Sequence, residues 1–416
     1  TIGIIMIIVM PKFKIVQELL DKVNMVTREN LTGIRVVRAF NAEEYQEDKF
    51  EGINNKLTKQ QIFNQTAFNY LNPIMYLVMY FLTLGIYFIG AILINDAGMG
   101  DKIVLFGNMI VFSSYAMQVI MSFLMLAMIF MMLPRASVSA KRINEVLDTP
   151  ISVKEGTVTE NNSDIKGTVE FKNVSLTYSG SGASSVEGIN FKAMKGQTIG
   201  VIGGTGSGKS SLVNLIPRLY DATQGEVLVD GVNVKDYDIE ALRNKVGIVM
   251  QKAVLFKGTI RENMWMGKKG ATDEQIDEAL EISQSKEFVD SKQGRLDYVI
   301  EQGGKNLSGG QRQRLTIARA IVRKPDVLIL DDSASALDFA TDAALRKAIR
   351  GMNNSPTVFI VSQRAASLMY ADLIIVLDDG QVAGMGTHDE LLANCEVYKE
   401  IYESQFKKAD SEGGVA

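Results

Sequence analysis

The sequence is poor in the residues that cross-link small proteins or hold metal ions. Among its 416 residues there is one cysteine, Cys395, and one histidine, His388. A single cysteine excludes an internal disulfide and a cysteine-based zinc site, and a single histidine excludes a histidine-rich metal site. Any histidine-dependent chemistry of this chain would have to use His388.

The sequence also lacks an excess of basic over acidic residues. Residues 1–150 hold 13 Lys and Arg against 12 Asp and Glu, and the rest of the chain holds 31 against 36. Proteins that bind a phosphate backbone need clustered positive charge, so nucleic acid is not an expected partner. Because 13 of the 20 methionines also precede residue 150, the chain divides into two regions of different character.

Two long uncharged runs predict a multi-pass membrane protein. Residues 71–94 contain no charged side chain over 24 residues, and residues 103–133 contain none over 31. About 20 apolar residues span a bilayer, so each run is long enough, and a buried helix of a large soluble domain is the weaker alternative. The short connection at 95–102 predicts a hairpin. Basic residues flank the runs and place both outer ends in the cytoplasm. They are Lys12, Lys14, Arg28, Arg35, Arg38, Arg135, Lys141 and Arg142.

The first 70 residues predict further helices. Residues 1–10 are apolar, too short to cross a bilayer, and followed by Pro11. We interpret them as the end of a span whose beginning is missing, in a chain that is a fragment or has a start site assigned late. Residues 12–69 are mixed in polarity and helical in pattern. Within them, residues 30–41, with Gly33 near the middle, are interpreted as a helix end, a turn and a short helix.

The composition changes again after the second uncharged run. Residues 135–164 are polar and are interpreted as a linker, which leaves residues 1–134 as the membrane region. Short β-rich runs begin at residue 165. They predict a compact α/β domain that extends over 165–416.

The strongest motif is a phosphate-binding loop. Gly203–Ser210, GGTGSGKS, fits G-x-x-x-x-G-K-[ST] between the strand-like run Thr198–Ile202 and the apolar run Ser211–Leu219, which is predicted to be helical. Glycine amides and a helix N-terminus cradle phosphates there, while Lys209 reaches the β- and γ-phosphates and Ser210 supplies a hydroxyl to Mg²⁺. A glycine-rich turn with a chance lysine is the alternative. A dinucleotide fingerprint is excluded because it would need glycine at Lys209.

Two further motifs lie in the same region. Val327–Asp331, VLILD, is typical of a buried parallel strand that ends in an acid. Paired with the phosphate loop, Asp331 is predicted to hold Mg²⁺, although an ordinary core strand with a solvated terminal acid is the alternative. Leu307–Gln311, LSGGQ, puts two glycines before a helical run and again offers free amides to an anion.

Together these motifs resemble the nucleotide-binding domain of ATP-binding cassette (ABC) transporters. The resemblance rests on GGTGSGKS, Gln251 in VGIVMQ, LSGGQ, VLILD and the SALD sequence at 335–338. The membrane region resembles the second half of an exporter-type transmembrane domain. Residues 1–10 would be the end of its fourth helix, 30–41 its second coupling helix, and the two uncharged runs its fifth and sixth helices. The order of the regions places the chain near the bacterial multidrug exporters.

The resemblance implies a role for each motif residue. In this family two cassettes face each other head to tail, and each ATP, with Mg²⁺, lies between the phosphate loop of one cassette and the LSGGQ of the other. Tyr178 would then stack on adenine, Gln251 would link the metal to the moving interface, and Asp338 would lie along the dimer seam. The expected contacts with the chain's own ATP are Gly203, Gly204, Thr205, Gly206, Ser207, Gly208, Lys209, Ser210 and Ser211. The expected contacts with the partner's ATP are Ser308, Gly309, Gly310 and Gln311.

Two positions depart from the family pattern. After Asp331 the family usually has glutamate, whose carboxylate polarises the attacking water, and here it is Asp332. The family's switch histidine is replaced by Gln363, which can donate a hydrogen bond but cannot carry a positive charge. Both changes together predict a site that keeps ATP and hydrolyses it slowly. His388 lies 25 residues further on and is predicted to be a surface or packing residue.

These features predict one subunit of a heterodimeric exporter whose LSGGQ completes the working site of a non-identical partner. Its cargo would be small amphipathic or drug-like molecules, by family analogy, and its nucleotide-binding domain would be cytoplasmic. Three alternatives stay open: a homodimeric exporter with a slow ATPase, a soluble cassette protein of repair or translation, and an inactive truncated remnant.

Overall fold

The computed structural model describes residues 2–160, 166–333 and 337–412. Within it the chain forms two compact units that divide between Thr149 and Pro150. The first unit is helical and the second is built of helices and strands. Of the SALD sequence, Ser335 and Ala336 lie outside the described residues, as does the end of the predicted linker.

The first unit consists, in its described part, of long helices. They are α1 (Ile2–Ala39), α2 (Glu43–Asn69), α3 (Leu71–Asp96) and α4 (Asp101–Leu147). Helices α1 and α2 pack against each other as a hairpin, and so do α3 and α4. Two helical stretches, 43–96 and 101–123, are long and apolar enough to cross a membrane, and almost none of their side chains are buried within the chain.

The structure corrects the sequence interpretation at the α1–α2 connection. Helix α1 runs without a break through Pro11 and Gly33 to Ala39, so the prediction of a separate short helix within 30–41 is wrong. The turn falls instead at 40–42, where Asn41 adopts a left-handed φ of 50°. A glycine inside a helix costs only about 0.5–1 kcal/mol. Packing of α1 against α2 outweighs that cost, which the local sequence could not reveal.

The predicted linker is also partly helical. Helix α4 contains the whole uncharged run 103–133 and continues to Leu147, beyond the predicted linker start at residue 135. Residues 136–147 include Ala, Lys, Arg, Glu and Leu, which favour helix. The helix ends just before Thr149, whose conformation is restricted by Pro150.

The second unit contains two principal sheets. The first has the strand order β2-β1-β4-β5 and is antiparallel, and the second has the order β12-β11-β3-β10-β9-β6 and is parallel except for β12. The strands are β1 (Val169–Leu176), β2 (Val186–Ala193), β3 (Thr198–Gly203), β4 (Gln224–Val229), β5 (Val232–Asn233), β6 (Val246–Val249), β7 (Gly258–Thr259), β8 (Val299–Ile300), β9 (Val327–Asp331), β10 (Thr357–Val361), β11 (Leu373–Asp378) and β12 (Gln381–Gly386). The helices are α5 (Lys209–Asn214), α6 (Ile239–Lys245), α7 (Ile260–Trp265), α8 (Asp273–Ile282), α9 (Lys286–Asp290), α10 (Gly309–Ile321), α11 (Phe339–Arg350), α12 (His388–Asn394) and α13 (Glu396–Glu412).

The parallel strands decide where a site can form. Strands β3, β9 and β10 are buried along their whole length. Because they run parallel, their carboxyl ends meet at one edge of the sheet, which is where ligands bind in open α/β sheets. Gly203, Asp331 and Val361 therefore come together, although they are far apart in sequence.

An aromatic group holds the two sheets together. The rings of Phe171 and Phe191 stack with centroids 4.5 Å apart, and Phe359 on β10 lies 6.2 Å from Phe191. Phe359 is fully buried. We expect Phe359→Ala to lower the free energy of unfolding of this unit by about 3–5 kcal/mol, because it leaves a cavity between the sheets.

The fluorescence of Trp265, the only tryptophan, reports unfolding of this unit in the intact chain. Val299→Ala is the matched control, because Val299 is 56 % exposed; it should change the unfolding free energy by no more than about 0.5 kcal/mol. Equal unfolding midpoints for both variants would contradict the proposed contribution of Phe359.

Candidate functional site

The phosphate-loop motif forms a tight turn between β3 and α5. Gly208 has a φ of 92°, and a side chain there would collide with the backbone oxygen of Ser185. Only glycine satisfies both conditions. The regular helix that follows runs from Lys209 to Asn214, so the helix predicted over 211–219 is shorter than expected.

Lys209 is folded back over its own loop. Its Nζ donates hydrogen bonds to the backbone oxygens of Gly203, at 2.9 Å, and of Gly204, and it lies 3.4 Å from Ser207 Oγ. Burial lowers the pKa of the Lys209 ammonium, and the nearby carboxylates Asp331 and Asp332 partly offset this effect. The geometry holds a positive charge at the base of the loop, ready for an anion.

Asp331 and Ser210 supply oxygen atoms beside that charge. Ser210 Oγ donates a 3.2 Å hydrogen bond to Asp331 Oδ1, so residues 121 positions apart meet. Burial raises the pKa of the Asp331 carboxyl, and the hydrogen bond from Ser210 opposes this rise. A hydroxyl and a carboxylate next to a phosphate cradle are the hard oxygen ligands that Mg²⁺ prefers.

These groups line one cavity of about 240 Å³ at the carboxyl edge of the sheet. The cavity unites most of the residues that the sequence singled out. They are Thr205, Gly206, Gly208, Lys209, Ser210, Ser211, Gln251, Asp331, Asp332 and Gln363. Sequence reasoning missed Ser185, Val361 and Ser362, which also line it. The parallel pairing of β10 with β3 brings in the last two, and sequence alone does not give that pairing.

Asp332 occupies an unusual backbone position. Its φ is 46°, in the left-handed region that aspartate tolerates better than most residues, and its amide donates to Val361 O at 2.9 Å. Its Oδ2 lies 3.5 Å from Gln251 Nε2. The acid next to Asp331 and the glutamine from the end of β6 therefore meet at the cavity.

Gln363 is held by helix α13. Gln405 on α13 donates from Nε2 to Gln363 O at 2.8 Å and accepts from Ala365 N at 2.9 Å. One side chain thus bridges both sides of this segment. Sequence reasoning did not single out Gln405, because a helix-surface glutamine carries no recognisable signal.

We expect Gln405→Ala to loosen the segment around Gln363. Each hydrogen bond is worth about 0.5–1.5 kcal/mol, so the backbone amide of Ala365 should exchange with deuterium about 2–10-fold faster. Hydrogen exchange with mass spectrometry of the intact chain measures this rate. Ser404→Ala is the control, since Ser404 Oγ donates only to Ile401 O on its own helix. Unchanged exchange at 362–367 in Gln405→Ala would show that the bridge does not hold the segment.

Tyr178 lies next to the cavity. Its hydroxyl donates to Ser211 Oγ at 3.0 Å, and Tyr220 packs edge-on against its ring with centroids 4.9 Å apart. Tyr178 is absent from the described lining of the cavity, although Ser211 belongs to it. Tyr220 is a neighbour that sequence reasoning missed, since its contact depends on the turn after α5.

The LSGGQ residues do not join this cavity. Among its described lining residues none comes from 308–311, and Asp338 is absent as well. Ser308 caps α10 in a reciprocal pair with Gln311, and Asp338 caps α11 through Thr341. Two hydrogen bonds from Thr341 lower the pKa of the Asp338 carboxyl. His388 begins α12, where its Nδ1 lies 2.8 Å from the Tyr398 hydroxyl, so it packs within the C-terminal helices.

The fold and the cavity define a P-loop nucleotide-binding domain that follows a helical membrane region. The family model described as ABC transporter matches residues 186–335, and the model of the ABC transporter transmembrane region matches residues 2–123.

Relatives and solved structures give the same result. The chain is 39 % identical over 98 % of its length to an uncharacterised ABC transporter ATP-binding protein of Mycobacterium tuberculosis, and covers 69 % of that protein. It is 33 % identical to a probable multidrug resistance ABC transporter ATP-binding/permease protein of Bacillus subtilis, over 93 % of this chain and 65 % of that protein. It is 31 % identical to an ATP-dependent lipid A-core flippase of Mannheimia succiniciproducens, over 94 % and 66 %. A bacterial Atm1-family ABC exporter, solved with ATP bound, is similar in fold at a TM-score of 0.80 and 24 % identity, over 97 % of this chain and 72 % of that one.

The chain belongs to the ABC transporter family, and it joins a transmembrane region and an ABC domain in one chain. It is an ATPase whose hydrolysis is coupled to transport, and a membrane protein with its ABC domain in the cytoplasm. The predicted fold class, a helical membrane region followed by an α/β P-loop nucleotide-binding domain, is confirmed. The alternative of a soluble cassette protein is wrong, because the transmembrane family model matches the first region.

Proposed function

We propose that the chain exports small amphipathic or drug-like molecules as one subunit of a non-identical ABC dimer. Its own site binds Mg·ATP and hydrolyses it slowly, with Lys209 on the phosphates and Ser210, Gln251 and Asp331 at the metal. Its LSGGQ completes the site that a partner builds. In this proposal residues 1–134 form the membrane part, 165–416 form the ATP-binding part, and 135–164, which include the end of α4, connect the two.

The observation that carries the proposal is the combination of residues around one cavity. The groups that would bind nucleotide and metal are present and oriented towards each other. The two groups that would promote water attack are Asp332 and Gln363. Aspartate is one methylene shorter than glutamate, so its carboxylate reaches about 1.5 Å less far. Misplacement by about 1 Å can cost of order 10²-fold in rate.

The side chain of Gln363 also predicts slow hydrolysis, for a different chemical reason. An amide can hydrogen-bond a phosphate oxygen but stays neutral, whereas a protonated histidine adds charge where negative charge develops. Gln405 already holds the Gln363 backbone, so the segment is in place and only the side-chain chemistry differs. Binding without fast cleavage follows from the two side chains together.

The exposed start of α10 supports the role toward a partner. Ser308 and Gly309 are exposed, and a Cβ at Gly309 would meet no atom within 4 Å outside its own helix backbone. Helix α10 has 13 residues, so its N-terminal amides carry a substantial partial positive charge. None of residues 308–311 is among the described lining residues of the chain's own cavity, as expected if this surface receives the phosphates bound by another chain.

The cargo class rests on the membrane helices and on the relatives. Large apolar side chains are exposed along α3 and α4, and their methionines can adapt to varied apolar shapes. Two relatives are a probable multidrug transporter and a lipid A-core flippase by name. Amphipathic or drug-like cargo fits both, and lipid contact accounts for the remaining exposed side chains.

Nucleotide binding and turnover, measured on the intact chain in lipid nanodiscs, test the proposal. The wild-type chain should bind Mg·ATP and release phosphate slowly. Lys209→Ala should weaken ATP binding about 10²-fold, because it removes a charge-assisted contact from the phosphates. Asp332→Ala should leave binding and turnover nearly unchanged. Fast turnover by the chain alone, lost in Asp332→Ala, would instead establish a homodimeric ATPase.

The partner is tested separately by purifying the tagged chain from its own membranes. We expect a second, different ABC half-transporter in a one-to-one ratio, and turnover in the purified pair. The matching carboxylate variant of that partner should abolish turnover, whereas Asp332→Ala should not. A purified assembly that contains only this chain and transports would refute the heterodimer.

A further inference from the structure

The ATP-binding unit contains a second, larger cavity that the ATPase function does not use. It has a volume of about 570 Å³, within the usual range for small-molecule sites, and shares no described lining residue with the phosphate-loop cavity. Helix α11, the segment 366–371 and α13 enclose it against one face of β9 and β10. Its apolar wall includes Phe339, Ile360, Met369, Tyr370 and Phe406.

This apolar chamber adjoins a polar vestibule. A neighbouring cavity of about 410 Å³ has four lining residues in common with it: Thr198, Ile349, Arg350 and Val358. The vestibule adds polar groups from the start of β3 and from the turn before β10. The two spaces adjoin at these four residues, and we call them together the crevice, which is apolar in the chamber and polar in the vestibule.

The polar end carries a positive excess. Across both linings four side chains are basic and two are acidic. Both acidic side chains already have partners. Asp342 forms an ion pair with Arg346, and Asp372 accepts a 2.7 Å hydrogen bond from the backbone amide of Thr198. Arg350 donates one hydrogen bond from its guanidinium to Tyr370 O and is exposed to solvent. Lys195, which lines the same vestibule, is also exposed. A guanidinium has five N–H donors, so Arg350 can bind an anion through the donors that Tyr370 O does not use.

The chamber is also reachable. Phe339 and Tyr370, at its rim, are 83 % and 73 % exposed. Large aromatic side chains exposed at the mouth of an apolar space mark a binding site more often than isolated surface residues do.

We propose that this crevice binds a single-chain amphipathic anion. The apolar chain lies in the chamber beside Phe339, Met369 and Phe406. A carboxylate or phosphate head group lies in the vestibule, at Arg350 and Lys195. This site is separate from the ATP cavity and does not depend on slow hydrolysis or on the partner.

Equilibrium dialysis of the intact chain in amphipol with radiolabelled decanoate tests the proposal. We expect saturable binding of one decanoate per chain. Uncharged decanol should compete poorly, and decyl phosphate should compete if a phosphate head group is accepted; the stronger of the two anions identifies the head group. Decanol that competes as well as decanoate would overturn the proposal, because the vestibule would then recognise no charge.

Three variants test whether decanoate binds in the crevice or elsewhere on the chain and its amphipol. Arg350→Gln with Lys195→Gln should weaken binding about tenfold, since it removes both charges while keeping a polar side chain at each position. Lys172→Gln with Lys192→Gln, two exposed lysines outside the crevice, is the charge-matched control and should bind like wild type. Ala343→Phe on α11 should weaken binding by taking up part of the chamber. Identical binding by wild type and all variants would overturn the proposal.

Discussion

Replacing Asp332 by Glu and Gln363 by His in the same chain should raise its rate of ATP hydrolysis by about 10²-fold. Glutamate adds about 1.5 Å of reach from the end of β9, and histidine can supply a charge where glutamine cannot. The segment that carries residue 363 is already held by Gln405, so the new side chain starts from an ordered backbone. The rate is measured as phosphate release at saturating Mg·ATP in nanodiscs.

Two controls show whether the gain is local. Asp379→Glu and Gln381→His make the same chemical changes in the turn and strand after β11, outside the described lining of the cavity. They should not alter turnover. Each single change at 332 and 363 should give less than the pair, because the two groups act on the same phosphate. If the double variant binds ATP as wild type does and turns over no faster, the two side chains do not limit hydrolysis.

Replacing Gly309 by Glu should abolish ATP hydrolysis by the assembled pair while leaving this chain's own ATP binding intact. A Cβ at this position meets no atom within 4 Å outside its own helix backbone, so there is room for a side chain to begin there. A carboxylate in the first turn even suits the dipole of α10. Toward a partner, however, it would put negative charge where the γ-phosphate is expected, and repulsion there costs several kcal/mol.

The paired measurements are phosphate release by the assembled pair and ATP binding by this chain. Gly309→Ala is the control, because it adds a side chain without charge and should retain most of the turnover. Glu at an exposed position in the second half of α10 would be a poor control, since it would oppose the helix dipole. Normal turnover in the Gly309→Glu pair would mean that α10 does not complete a partner's site.

The local motifs are predictable because their chemistry is contiguous in sequence. The phosphate loop needs a strand, glycines and a lysine in one run, and Gly203–Ser210 supplies them between β3 and α5. The VLILD run predicts a buried strand, and β9 is buried throughout. The uncharged runs likewise predict membrane helices, because length and absence of charge are sufficient for that prediction.

Local signals fail where packing between elements decides. Gly33 suggests a break in a helix, yet α1 continues past it because α2 packs along its length. The polar stretch after residue 135 suggests a linker, yet its helix-forming residues extend α4 to Leu147. The packing of α2 against α1 is not visible in a local window of sequence, whereas the helix-forming residues after 135 are visible there and polarity alone misled the interpretation.

The sequence by itself determined the family, the two regions and the identity of the side chains at the predicted catalytic positions, since each of these depends on contiguous residues. The tertiary structure alone decided that Gln251, Asp331, Asp332 and Gln363 line one cavity, because parallel pairing brings the ends of β6, β9 and β10 to one edge. It also decided that Gln405 holds Gln363 and that a crevice lies behind α11. Those contacts join residues tens of positions apart, and only the packed chain makes them neighbours.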